Sequence, residues 1–177
     1  IIKAVKTKRI HYIEDAKIAS RTSVLARADF DVAMSGGRVD DDTRIRAVLP
    51  LVRYLIRCKC RIRLIAHAGR PERVPNQKLS LAPVADVLAR LLGRRVVLVK
   101  DPFTAFAFKR YGDSDDILLF ENIRFWPGEE KNERPFAREL ARWGDIYVNE
   151  AFANSHRAHA SMQALTRLLP SFGGIHL

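Results

Sequence analysis

Val24-Leu25-Ala26-Arg27-Ala28-Asp29-Phe30-Asp31 is a short apolar run that closes on charged residues. A run of this length suits a buried strand whose carboxyl end delivers Asp29 to a surface. Ser35-Gly36-Gly37 follows as a turn. Beyond it, Asp42 is placed to cap a helix whose apolar residues Ile45, Val48, Leu49, Val52, Leu55 and Ile56 recur at three- and four-residue spacing, with Pro50 expected to kink it. Arg61-Ile62-Arg63-Leu64-Ile65 then alternates and stops at Ala66-His67-Ala68-Gly69-Arg70-Pro71, a second strand running into a Gly and Pro loop.

The same unit recurs along the chain. Ser80 is a candidate N-cap for a helix carrying Leu81, Val84, Val87, Leu88, Leu91 and Leu92, with Pro83 in its first turn and Gly93 placed to end it. Apolar runs at Val96 to Val99, Ile117 to Phe120 and Ile146 to Val148 alternate with helical patterns at roughly 101–110 and 134–142. Short apolar strands separated by amphipathic helices imply an α/β fold, a mainly parallel sheet covered on both faces in three αβα layers. In such sheets the ligand crevice lies beyond the carboxyl ends of the strands.

The chain has 177 residues, 47% of them hydrophobic, enough for one core, and a single domain over 1–177 is expected. It opens on Ile1-Ile2-Lys3 without an initiator Met, a charged-then-apolar leader or a run long enough to span a membrane, and reads as a soluble fragment. Cys58 and Cys60, with one residue between them, are too close for a disulfide framework and lack further ligands for zinc. They read as two thiols near a helix end and a strand, in a reducing cytoplasm. Thirty-one Lys and Arg against 20 Asp and Glu give a net charge of +11, which attracts anions of any size. The basic residues are mostly Arg and scattered without a block of five, so a nucleic-acid arm is not indicated.

Taken in order, the ends of the apolar runs offer Asp29 and Asp31, then His67 and Arg70, then Arg124, then His156-Arg157-Ala158-His159, with Arg44 at the start of the first helix. A single arginine past a strand is ordinarily solvated or paired with a carboxylate, and a lone His67 or His159 can simply brace its loop. The combination is what suggests a site. Several guanidinium groups meeting on one rim suit a small polyanion, since their forks bind phosphate or carboxylate oxygens in bidentate fashion. The chain has no G-x-x-x-x-G-K-[ST] loop, no G-x-G-x-x-G, no G-x-S-x-G and no H-E-x-x-H, and so no nucleotide-cradling motif.

Six collinear motifs carry a resemblance. They are Arg27-Ala28-Asp29-Phe30-Asp31-Val32, Asp41-Asp42-Thr43-Arg44-Ile45-Arg46-Ala47, His67-Ala68-Gly69-Arg70-Pro71, Leu119 to Phe125, Gly128-Glu129-Glu130-Lys131-Asn132, and Gly144 to Phe152 continuing through His156-Arg157-Ala158-His159-Ala160-Ser161. Over roughly residues 24 to 177 the chain resembles the amino-terminal half of the phosphoglycerate kinase family. The resemblance implies a Rossmann-like domain of a two-domain hinge kinase. This half would bind 3-phosphoglycerate or 1,3-bisphosphoglycerate, and the absent carboxyl-terminal half would supply ADP or ATP with magnesium.

Carried over position by position, Asp29, Phe30, Asp31, His67, Ala68 and Gly69 would lie on the glycerate side, Arg70, Arg124 and Arg157 would hold the non-transferred phosphate, and Arg44 would serve catalysis by stabilising the transferring phosphoryl. No cofactor and no metal is expected in this chain itself. The partners implied are the small-molecule substrate and the chain's own second domain, with no membrane. A diverged, standalone anion-binding module without kinase activity is the alternative. Departures from the family pattern include Asp31 for the usual Asn, Ala33 for Pro, Ala68 for Leu, and Glu150, Ala153 and Asn154. Asp31 matters most, because an extra carboxylate beside an anionic substrate disfavours binding unless it is protonated or paired.

Overall fold

The computed structural model describes residues 10–72 and 74–176; the opening Ile1-Ile2-Lys3 and the terminal Leu177 lie outside them. Six strands build one sheet: β1 (Ser23–Arg27), β4 (Arg61–Ile65), β5 (Val96–Val99), β6 (Ile117–Phe120), β7 (Ile146–Asn149) and β8 (Ser171–Gly173), in the order β5-β6-β4-β1-β7-β8. Every pairing in it is parallel, so each carboxyl end faces the same rim. β1 sits in the middle, with Arg27 in register with Ile65 on one side and Asn149 on the other. β4, the next strand of this sheet, lies to one side of β1 and β7 to the other, the switch of direction at which parallel sheets gather ligand-binding residues.

The sheet is covered on both faces, as parallel sheets require. Val24 and Ala26 of β1, Ile62 and Leu64 of β4, and Ile117 and Leu119 of β6 pack with α1 (Thr43–Arg57) and α2 (Ala82–Leu92). Leu25, Ile65, Leu118, Phe120 and Tyr147 point the other way, against α3 (Ala105–Tyr111), α5 (Arg134–Ala141) and the helical turns at 160–167. This period-two division assigns Arg27 and Arg63, both odd-numbered, to the second face. A small hairpin, β2 (Met34–Ser35) with β3 (Arg38–Val39), closes over Gly36-Gly37, and a single turn, α4 (Pro127–Glu130), leads into α5.

Several local expectations need correction. Asp42 takes the N-cap position of α1, but its carboxylate accepts from Arg46 Nε at 2.7 Å; Asp41 accepts the Thr43 amide instead, at 2.9 Å. α1 runs through Pro50 without interruption. Ser80 Oγ does accept from the Ala82 amide at 3.2 Å, but the Leu81 amide is taken by Glu121 Oε1 at 2.7 Å, a cap supplied from the end of β6. Gly93 ends α2 with φ +61°, the left-handed conformation a C-cap glycine adopts freely. α3 begins only at Ala105, because Thr104 accepts the Ala107 amide and Asp101 turns the chain ahead of it.

The alternation in β4 does not place Arg63 in water. Its side chain is fully buried, and its Nη2 donates to the carbonyls of Tyr111, Gly112 and Ser114 at 3.4, 3.0 and 2.8 Å. The Tyr111 and Gly112 carbonyls lie at the end of α3, where the negative end of its dipole favours a cation, and the Ser114 carbonyl follows just beyond. Burial lowers the guanidinium pKa to about 10, still well above neutrality. Cys58 and Cys60 are free thiols at the end of α1 and just before β4, and burial pushes the Cys60 thiol up to about 11. Among the described residues, no helix is long and apolar enough to cross a membrane.

Candidate functional site

The sequence carries a charged residue at the last position of β1, and the fold buries it. Arg27 is 1% exposed; its Nη2 donates to His67 Nδ1 at 2.8 Å and its Nε to Ser161 Oγ at 3.2 Å. Ser161 Oγ passes its own proton to Glu129 Oε1 at 2.6 Å, and the Ser161 amide donates to Glu129 Oε2 at 2.9 Å. Glu129 is wholly buried on α4, and His159 Nδ1 stands 3.8 Å from its Oε1. Burial raises the Glu129 pKa, opposed by Arg27, the Ser161 hydrogen bonds and Arg124. One continuous polar line thus runs beneath the sheet's rim from His67 to His159.

Arg124 follows β6 in a short 3-10 turn fixed by Asn122. That fully buried amide donates to the Ala68 carbonyl at 2.7 Å and the Leu79 carbonyl at 3.0 Å, while its Oδ1 accepts the Arg124 amide at 3.1 Å. Arg124 is 1% exposed, and its Nη1 donates to the Gly69 carbonyl at 2.7 Å. Its Nε and Nη2, together with Arg157 Nε, are buried without a hydrogen-bond partner. Such donors are rare in folded proteins, and cationic ones more so. Burial, then Arg157 and Arg27, lowers the Arg124 pKa; burial, Arg124 and Arg157 lower that of His159. The cluster repels itself in the absence of an anion.

Asp31 faces the same crevice. Its Oδ1 accepts the Gly69 amide at 2.7 Å and its Oδ2 lies 3.6 Å from His67 Nε2. Gly69 holds φ +61°, and a Cβ there would stand 2.7 Å from Leu79 Cδ2, so only glycine can present its N–H to Asp31 and its carbonyl to Arg124 together. Arg44 is half-exposed and pairs with Asp29 at 2.8 Å on the outer rim.

The structure therefore gathers Asp31, His67, Gly69, Arg124 and Arg157, with Asp29 and Arg44 at the edge. Arg70 is exposed, and none of the contacts among described residues ties it to Arg124, Arg157 or His67. Phe30 and Ala68 belong to the core and are fully buried, so their side chains have no surface to offer a ligand. A cavity of about 1110 Å³ lies elsewhere, among Met34, Pro75, Ser80, Leu98, Lys100 and Trp126; neither Arg124 nor Arg157 lines it.

His67 stays neutral. Burial first, then Arg27, Arg124, Arg157 and His159, drives its pKa down to about 2. The unfolded imidazole takes a proton below about 6.5, so the His67 contribution to stability is complete above that pH and is lost as pH falls towards about 2. Urea unfolding should show the stability difference between the natural chain and His67→Gln shrinking from pH 7 to pH 5. A constant difference would contradict a buried neutral imidazole.

A family model for phosphoglycerate kinase matches residues 13–177. The chain belongs to the phosphoglycerate kinase family. It is 43% identical over 165 residues to the phosphoglycerate kinase of Pelobacter propionicus and 47% identical over 165 residues to that of Methylorubrum extorquens, in each case across 92% of this chain and 41% of the relative. The chain thus spans about two fifths of the length of the curated relatives it matches. The structure of phosphoglycerate kinase from Coxiella burnetii superposes with a TM-score of 0.84 at 30% identity, covering 95% of this chain and 42% of that one. That from Pyrococcus horikoshii gives 0.83 at 27%, covering 94% and 43%.

Within this phosphoglycerate kinase domain, sequence reasoning did not assign Arg27, Glu129, Ser161 or Asn122 to the site. Arg27 carried a signal, since an arginine inside an apolar strand of a two-sided parallel sheet must be buried and so must have partners. Glu129 and Ser161 carried none, because their pairing closes across 32 residues.

Proposed function

We propose that this chain is the substrate-binding half of a phosphoglycerate kinase, holding 3-phosphoglycerate or 1,3-bisphosphoglycerate without turning it over alone. The observation that carries the reading is the set of buried, unpartnered N–H groups, Arg124 Nε and Nη2 with Arg157 Nε, at the carboxyl edge of a parallel sheet. A phosphate ester supplies three acceptor oxygens and the negative charge that the unpartnered guanidinium N–H groups of this edge call for. His67, neutral and held by Arg27, adds a donor whose strength does not change across physiological pH. Arg44, half-exposed and paired with Asp29 on the rim, has the freedom to turn towards the reacting phosphoryl and stabilise its charge.

Phosphoryl transfer in this family's chemistry needs a nucleotide and magnesium. Among the described residues no three His, Cys, Asp or Glu side chains gather as a metal-binding group. In this reading ADP or ATP and the metal belong to the remaining length of a full-length parent, as the family resemblance implies, and the contribution of this chain is to hold, orient and neutralise the acidic substrate. Membership of the domain 1–177 in a larger hinge protein is part of the same proposal.

The test is calorimetric titration of the chain with 3-phosphoglycerate at low and at moderate salt, alongside a coupled assay for ATP formation. The expected result is saturable one-to-one binding that weakens as salt rises, with no turnover. Absence of saturation by 3-phosphoglycerate would defeat the substrate reading, and turnover would defeat the division of labour.

A further inference from the structure

We propose that Asp31 is a specificity-determining residue: its carboxylate accepts the Gly69 amide and stands over His67 Nε2–H, and so favours phosphate esters that present a hydroxyl there and weakens the hold on those that carry a second anionic group. This rests on the phosphate-site reading above and adds to it a choice among phosphate esters.

The argument begins at Arg27. A guanidinium has only donors to give, so with Nη2 2.8 Å from His67 Nδ1 that ring nitrogen must offer its lone pair. The imidazole is neutral, and its single proton therefore sits on Nε2. Nε2 faces Asp31 Oδ2 at 3.6 Å, an electrostatic attraction longer than a hydrogen bond, while Oδ1 takes the Gly69 amide at 2.7 Å. One carboxylate thus faces both donors that a ligand could otherwise use at this end of the crevice.

A carboxylate can do this because it has two acceptor oxygens. A carboxamide has one: asparagine at 31 would keep the Gly69 amide on its oxygen and turn its own NH₂ towards His67 Nε2–H, leaving two donors side by side for an acceptor on the ligand. With aspartate, an incoming carboxylate must displace Oδ2 and meet a like charge, whereas a ligand hydroxyl can donate to it. The charge is close to the phosphate, since Gly69, whose amide Asp31 holds, also gives its carbonyl to Arg124 Nη1 at 2.7 Å. The neighbouring acids are engaged elsewhere, Asp29 by Arg44 and Glu129 by Ser161. Among the described residues, no arginine lies within ion-pairing distance of Asp31.

Glycerol 3-phosphate and 3-phosphoglycerate separate these possibilities, because they share the phosphate ester and the adjacent hydroxyl and differ only in a hydroxymethyl against a carboxylate. Both are to be titrated calorimetrically into the natural chain and into Asp31→Asn. Asp31→Asn should tighten 3-phosphoglycerate about tenfold, as expected for a charge removed and a donor freed, while glycerol 3-phosphate stays within about twofold. An equal gain for both ligands, or no gain for 3-phosphoglycerate, overturns the proposal and leaves the phosphate site standing. If neither compound binds either protein, the phosphate site and this proposal fall together. Matching thermal unfolding of the two proteins establishes that the substitution leaves the fold intact.

Discussion

Arg124→Met should reduce 3-phosphoglycerate affinity by roughly 30- to 1000-fold, about 2–4 kcal/mol, the cost expected when one member of a desolvated charged pair is removed. Methionine follows the path of the arginine stem and fills most of its volume, so the buried position stays filled while the two unpartnered N–H groups disappear. Stability should hold or rise, because a buried cation that repels Arg157 and Arg27 is gone. Calorimetric titration paired with a thermal melt reads both consequences. Arg124→Lys should not restore affinity, since an ammonium cannot donate to Gly69 and to the ligand in one plane. Unchanged binding in Arg124→Met would mean the phosphate sits elsewhere.

Arg27→Met should act on the fold. Removing Arg27 leaves Glu129 fully buried with its strongest opposing positive charge gone, and with Ser161, the more distant His159 and the Arg124 charge still acting on it. Stranding one member of a buried charged group costs about 3–5 kcal/mol, a large part of the 5–15 kcal/mol typical of a whole domain. His67 loses the donor that fixes its ring at the same time. Urea unfolding should therefore show a lower midpoint for Arg27→Met, partly recovered in Arg27→Met/Glu129→Gln, where a neutral amide can still accept from Ser161. A double variant no better than the single would show that Arg27 acts through packing and not through its charge.

The fold was legible because its signal is periodic. Most strands of the main sheet from β1 to β7 are short apolar runs bounded by polar residues, β4 alternates, and the longer helices repeat an apolar face, so the βα order and the parallel sheet follow from spacing. β8 was not legible: Ser171–Gly173 is three residues at a sheet edge, too short to show a period. The burial of Arg63 was not legible either, because alternation in β4 by itself suits a half-wet strand, whereas this sheet is covered on both sides.

The site was legible as a set of strand-end residues, since Arg124 and Arg157 sit where parallel strands discharge polar groups. What supports them was not. Asn122 holding Ala68 and Leu79, and Ser161 joining Arg27 to Glu129, depend on which loops meet in space, and no local pattern encodes that.

The most direct measurement is a crystal structure of the chain soaked with 3-phosphoglycerate. The phosphate should lie within hydrogen-bond distance of Arg124 Nε and Nη2 and of Arg157 Nε, three of the buried donors that lack a hydrogen-bond partner among the described residues. Phosphate density at any other place, with those three nitrogens still unpaired, would contradict the assignment of this sheet edge as the substrate site.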